Sequence, residues 1–167
     1  MQRDTGETAK ERENMTMKFL VFGAGVLGCN LANHLFRAGK DVSLLARGAW
    51  AEEIRKNGLR IKNSLTHRMT VSHIPVVTER NAEEPYDVIF VAVRYTQIEA
   101  IIDVLRTSRA KTVIFVGNNV RASETAALLP GKTMLFAFTG AAGHRESNYV
   151  DSVDGSVDKV AYKPFLR

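Results

Sequence analysis

At 167 residues the chain is long enough for one domain with a substantial core and too short for two of ordinary size. Hydrophobic residues make up 45% and charged residues 25%, ordinary for a soluble globular protein, and no apolar run approaches the ~20 residues of a membrane span. A single cysteine excludes an internal disulfide and a cysteine-based zinc cluster. The net charge of +5, with no dense Lys/Arg cluster interleaved with aromatics, suits a small anionic ligand better than a nucleic acid.

Residues 1–14, "MQRDTGETAKEREN", carry three basic and four acidic side chains, leaving +6 for the rest. They lack periodicity and an apolar core, so residues 1–16 read as a disordered tail rather than a secretory signal, with the cytoplasm as default location. "KFLVF" (18–22) is continuously apolar, as a strand buried on both faces should be. A helix follows from Val26, with Leu27, Leu31, Leu35 and Phe36 at helical spacing and Gly39 as its stop. "DVSLLA" (41–46) is the second strand, "AEEIRKNG" (51–58) a short helix, and weak alternation predicts strands around 59–62 and 68–77.

"DVIFVAV" (87–93) and "TVIFVGN" (112–118) read as two more buried strands, and "TMLFAFTG" (133–140) as another. Between them, Ile98, Ile101, Ile102 and Leu105 share one face of a helix over 97–108, and "SETAALLP" (123–130) is a further helix. Strands alternating with helices imply a parallel sheet with right-handed crossovers, a doubly wound α/β fold of Rossmann type in a single domain, 17–167. The rhythm changes at 148–162, where Asp154-Gly155 sits between two valine-bearing runs and predicts an antiparallel hairpin at the edge. The same run imitates a calcium loop, but Val153 and Val157 stand where liganding oxygens should be, and no metal site is expected.

"GAGVLG" (23–28) matches G-x-G-x-x-G between a buried strand and an amphipathic helix, the context that gives this pattern meaning. Gly23 permits the tight turn, Gly25 lets backbone approach a pyrophosphate, and Gly28 lets helix and strand pack closely. Ala24, Val26 and Leu27 complete the loop and the first helical turn, whose N–H groups face the phosphates. Ligands of such sheets bind beyond the carboxyl ends of the strands. Asp41 lies about 16 Å from that end of the second strand and cannot serve as the usual ribose carboxylate. Arg47, 19 residues after Gly28, stands at the right end instead. A guanidinium there binds a 2′-phosphate bidentately, which points to NADP(H); the alternative is a solvent-exposed surface arginine.

"MKFLVFGAGVLG", "LLARG", "DVIFVAVRYTQ", and "IFVGNNV" followed by a helix occur in an order that resembles the N-terminal domain of ketopantoate reductases (2-dehydropantoate 2-reductases) over residues 17 to about 162. The resemblance implies an NADPH-dependent oxidoreductase acting on a small 2-oxo acid, 2-dehydropantoate, on the route to pantothenate, and it admits a homodimer. It implies that Arg47 meets the 2′-phosphate, that Arg94 replaces a lysine near cofactor and substrate, and that Gln97 lies on the adenosine side. Asn118 takes the place of the asparagine beside nicotinamide and substrate, the one catalytic position assigned here. Asn119 replaces a usual glycine. The family's helical second domain, which carries a catalytic lysine, has no counterpart in these 167 residues. The alternative is therefore a stand-alone NADPH-binding or sensor module without catalysis. Cys29 reads as a packing residue, His34 as a surface or packing histidine, Trp50 as packing or an adenine neighbour, and His144 as a solvated loop residue or one reaching the crevice.

Overall fold

A computed structural model of the chain describes residues 17–78, 84–117, 122–138 and 140–153. In chain order its elements are β1 (Lys18–Phe22), α1 (Val26–Arg37), β2 (Asp41–Leu45), α2 (Gly48–Asn57), β3 (Leu59–Asn63), β4 (Met69–Ser72) and β5 (Val76–Val77). There follow β6 (Val88–Val91), α3 (Ile102–Thr107), β7 (Thr112–Val116), α4 (Ala122–Ala127), β8 (Thr133–Ala137), β9 (Ala142–Arg145) and β10 (Val150–Val153). The proposed tail, residues 1–16, lies outside the described residues.

The main sheet has six strands, all parallel, in the order β5–β2–β1–β6–β7–β8. Two halves diverge from β1, so the strand order reverses between β1 and β6, and the crevice for a ligand opens at their carboxyl ends. Alternation along β1 explains why its residues are apolar on both faces. Leu20 and Phe22 enter one core with Ile89, Val91, Leu105, Val113 and Phe115, while Val21 enters the other with Val42, Leu44, Ala51 and Ile54.

The strands fall where sequence places them, with ends shifted by a few residues, and three findings differ. The segment over 97–108 is a regular α-helix only in α3, entered through 3-10 turns at Tyr95–Gln97 and Glu99–Ile101. Ile98, Ile101 and Ile102 lose rotamer freedom in an α-helix, yet all three remain buried with Leu105 as their spacing requires. The run at 68–77 divides into β4 and β5, because Pro75 has no N–H to give a ladder; its carbonyl instead accepts from Leu44 N–H at 2.8 Å.

The third difference is a second sheet, ordered β4–β3–β10–β9. Of the hairpin expected around Asp154-Gly155, only the first arm falls within the described residues. That arm, β10, pairs parallel with β3 and antiparallel with β9. The second sheet changes what α1 buries. Phe36 is exposed and Leu31 and Leu35 only half-buried, whereas Cys29, Asn30, Ala32 and Asn33 are buried. The Asn30 amide and the Ser152 hydroxyl exchange hydrogen bonds of 3.1 and 3.2 Å, and the Ser72 hydroxyl donates to Asn33 Oδ1 at 2.8 Å. Two buried asparagines are thus satisfied by two serines, which ties α1 to both β10 and β4.

Candidate functional site

The glycine loop leaves β1 at the switch point and is locked by close contacts. Gly23 has φ +112°, and a Cβ there would lie 2.7 Å from the Ala92 carbonyl oxygen just beyond β6. A Cβ on Gly28 would come within 1.8 Å of the Gly23 carbonyl oxygen and 3.2 Å of Ala92 Cβ. A Cβ on Gly25 would meet nothing within 4 Å. Gly23 and Gly28 are therefore required by the protein's own packing, whereas at Gly25 a side chain would enter open space.

Gly25 is the N-cap of α1, with no side-chain cap hydrogen bond and no acidic residue in the helix's first turn. The positive end of this 12-residue helix therefore has neither a capping side chain nor a first-turn carboxylate of its own, which fits an anionic ligand. The loop's neighbours are the ends of the adjoining strands. The ideal Cβ direction of Gly117, at φ +122° just past β7, points to Leu27 Cδ1 at 3.7 Å. Asn118 follows directly but lies outside the described residues.

At the carboxyl end of β2, Ala46, Arg47, Gly48, Ala51, Glu52, Arg55 and Thr78 line an open cleft of about 550 Å³. Arg47 caps α2 from an extended conformation and is exposed. Arg55, two turns further along the same helix, adds a second guanidinium, and the Glu52 carboxylate pairs with it. Arg94 and Gln97 share one turn beyond β6: the Gln97 N–H donates to the Arg94 carbonyl at 2.8 Å, and the Arg94 N–H donates to Gln97 Oε1 at 3.2 Å. Gln97 Oε1 is thus engaged within the turn, leaving its NH₂ group for other partners.

Trp50 has a role that sequence reading did not assign. Its Nε1–H donates to the Ala24 carbonyl at 3.0 Å, so the first turn of α2 is bonded to the glycine loop. The Arg145 guanidinium lies 5.4 Å from the centroid of the Trp50 ring. His144 is on strand β9 rather than in a loop, is exposed, and bonds Glu146 Oε1 at 2.9 Å. Alternation along β9 turns it to the face opposite Arg145.

Cys29 is a packing residue, as expected. Burial pushes its thiol pKa up to about 12, offset only in part by the Trp50 N–H and the Arg145 charge. A raised native value means the unfolded chain, with a thiol near 8.5, releases its proton first; stability contributed by this group is present below about pH 8.5 and declines above it. At pH 8 a thiol of pKa about 12 is thiolate in only about one molecule in 10⁴. Ellman's reagent at pH 8 is therefore expected to leave the native chain unmodified for an hour and to titrate one thiol in 6 M urea (about the concentration that unfolds such domains). Rapid modification of the native chain would contradict this burial.

Parallel strand order, switch-point glycine loop and uncapped helix N-terminus together define a doubly wound domain of the Rossmann type. Residues 19–159 match the family model "Ketopantoate reductase PanE/ApbA", and the chain belongs to that family. A 69-residue stretch is 44% identical to a 2-dehydropantoate 2-reductase of Mesorhizobium japonicum, covering 41% of this chain and 20% of that protein. Among solved structures, a PanE/ApbA family ketopantoate reductase of Ralstonia eutropha superposes with TM-score 0.71 at 22% identity, over 84% of this chain and 47% of that one. A D-mandelate dehydrogenase, solved with NADH and anilino(oxo)acetate, superposes with TM-score 0.71 at 21% identity, over 84% of this chain and 46% of that one. At these identities the two structures establish the fold alone. The chain spans less than half the length of either.

Proposed function

We propose that this chain binds NADP(H) and forms, from about Met17 onward, the cofactor-binding domain of an oxidoreductase that reduces a small 2-oxo acid, 2-dehydropantoate to pantoate. Family membership supports the reaction class. The observation that carries cofactor choice is Arg47, which lines the cleft at the carboxyl end of β2 where the adenosine ribose of a dinucleotide on the glycine loop would lie. Gly23 to Gly28 and the α1 N-terminus would hold the pyrophosphate, and Arg47 the 2′-phosphate, with Arg55 adding positive potential. The Glu52 carboxylate is drawn onto Arg55 and does not stand alone against the phosphate.

When bound, the cofactor supplies a hydride for the 2-oxo carbon. This chain's residues would do the rest of the positioning: Arg94 and Gln97 from the turn beyond β6, and Asn118, following β7, beside cofactor and substrate. A helical domain of the kind the family carries would close over them and supply the proton donor.

Because one fold neighbour was solved with NADH, discrimination between the two cofactors is the sharper test. Titration calorimetry is expected to show NADPH bound more tightly than NADH, with Arg47→Ala removing most of the difference. A charge-assisted bidentate phosphate contact contributes about 1.5–3 kcal/mol, or about tenfold to a hundredfold in affinity. Equal affinity of the unaltered chain for both cofactors would defeat the assignment of Arg47.

A further inference from the structure

We propose that Trp50 is a positioning residue that aims the Gly25 N–H at the cofactor's pyrophosphate by holding the Ala24 carbonyl. The inference rests on the cofactor-binding reading above and assigns a device within it. The Ala24 carbonyl and the Gly25 N–H belong to one planar peptide unit, and in a trans unit they point in opposite directions. Fixing the carbonyl toward Trp50, at 3.0 Å, therefore fixes the N–H away from it. Gly25 is where that N–H emerges, and the space beside its Cα is open.

The peptide needs such a constraint because its neighbourhood is permissive. Gly23 and Gly25 flank Ala24, and glycine rotates about its backbone bonds at little cost. Were the unit to turn over, it would present a carbonyl oxygen to the phosphates in place of a donor, replacing attraction by repulsion. No other hydrogen bond to the Ala24 oxygen occurs among those resolved between described residues.

Trp50 is well placed to hold it. The ring is only 8% exposed and packs in the core beside Cys29, Ala51 and Ile54, so the N–H is delivered by a side chain with little freedom. Arg145 of the second sheet lies over the ring at 5.4 Å and buttresses it. Trp50 also stands three residues after Arg47 in the first turn of α2, so one helix end would set both the 2′-phosphate ligand and the pyrophosphate donor.

Trp50→Phe tests this, because it keeps an aromatic ring in the core while removing the N–H together with the pyrrole half of the indole. With the full chain, the variant is expected to bind NADPH and NADH each about five- to tenfold more weakly, leaving their ratio unchanged, since the pyrophosphate is common to both. Equal binding by variant and wild type would overturn the proposal, and so would a loss confined to NADPH, which would place the effect at the 2′-phosphate. Amide hydrogen exchange without cofactor separates this idea from the cofactor reading itself. Exchange across Ala24–Leu27 should quicken at least threefold in Trp50→Phe while the melting temperature stays within a few degrees; unchanged exchange sinks the clamp whether or not any cofactor binds. If the variant does not fold, the single indole N–H of the wild type serves. Its NMR signal should be protected from solvent exchange and move on addition of NADPH, and a freely exchanging signal would refute the bond.

Discussion

Gly28→Ala is expected to lower the melting temperature of this chain by roughly 6–12 °C. The added Cβ would sit 1.8 Å from the Gly23 carbonyl oxygen and 3.0 Å from its carbon, both backbone atoms that no rotamer change can move. The helix must instead withdraw from β1 by more than an ångström. It is not free to do so: Cys29 and Ala32 pack on the main sheet, while Asn30 and Asn33 are bonded to Ser152 and Ser72 on the second sheet. Overpacking of this kind costs about 3 kcal/mol at the upper end of its usual range. One kcal/mol corresponds to about 2–4 °C in a domain of this size. Gly25→Ala is the control, because its Cβ meets no atom within 4 Å. It should melt within about 2 °C of the unaltered chain while losing NADPH affinity. A Gly28→Ala variant that melts with the unaltered chain would mean that α1 and β1 do not approach as closely as described.

These two glycines also show which features a sequence discloses. The motif announces three glycines, and the structure divides them by cause: two serve the protein's own packing, and one leaves room. The buried parallel strands were legible because burial on both faces requires unbroken apolar runs, as in Leu20, Val21 and Phe22. Arg47 was legible because counting along β2 places it at the carboxyl end, whatever its side chain touches.

The second sheet was not legible. It joins β3 to β10 across nearly ninety positions, with Val150 beside Ile61. Its edge strand β9 reads Ala-Gly-His-Arg and is exposed throughout, so no apolar alternation marks it. Gly143 is needed there because a Cβ would come within 2.1 Å of the Asp151 carbonyl oxygen, a constraint that exists only once the strands have met. The burial of Asn30 and Asn33 on α1 was not legible for the same reason. Asn30 and Asn33 look solvent-facing until Ser152 and Ser72 arrive to satisfy them. The hydrogen bond from Trp50 to the glycine loop was not legible because its acceptor is a backbone carbonyl 26 residues earlier.

The 167 residues assayed alone are expected to bind NADPH without reducing ketopantoate at a measurable rate. Holding the cofactor fixes one reactant of two. Hydride transfer also requires the 2-oxo carbon within near-attack distance, an effect that reaches about 7–11 kcal/mol in well-oriented systems. The alkoxide that forms needs a proton, and a positioned acid typically contributes about 10²–10⁴-fold. The side chains considered for the crevice are poor sources. Arg94 cannot release its proton near neutral pH, and the Asn118 amide is not acidic. His144 sits exposed on β9, bonded to Glu146 and turned from the face that Arg145 presents to Trp50. In an assay of these residues alone no helical domain covers the crevice, so water would screen the charge developing at the oxygen and weaken any stabilisation of the transition state. A steady-state assay following NADPH absorbance with ketopantoate decides the matter. Turnover of about 1 s⁻¹ or more, within the ordinary enzymatic range, would require a proton donor among these residues, and His144→Gln would be the first variant to separate it from the rest.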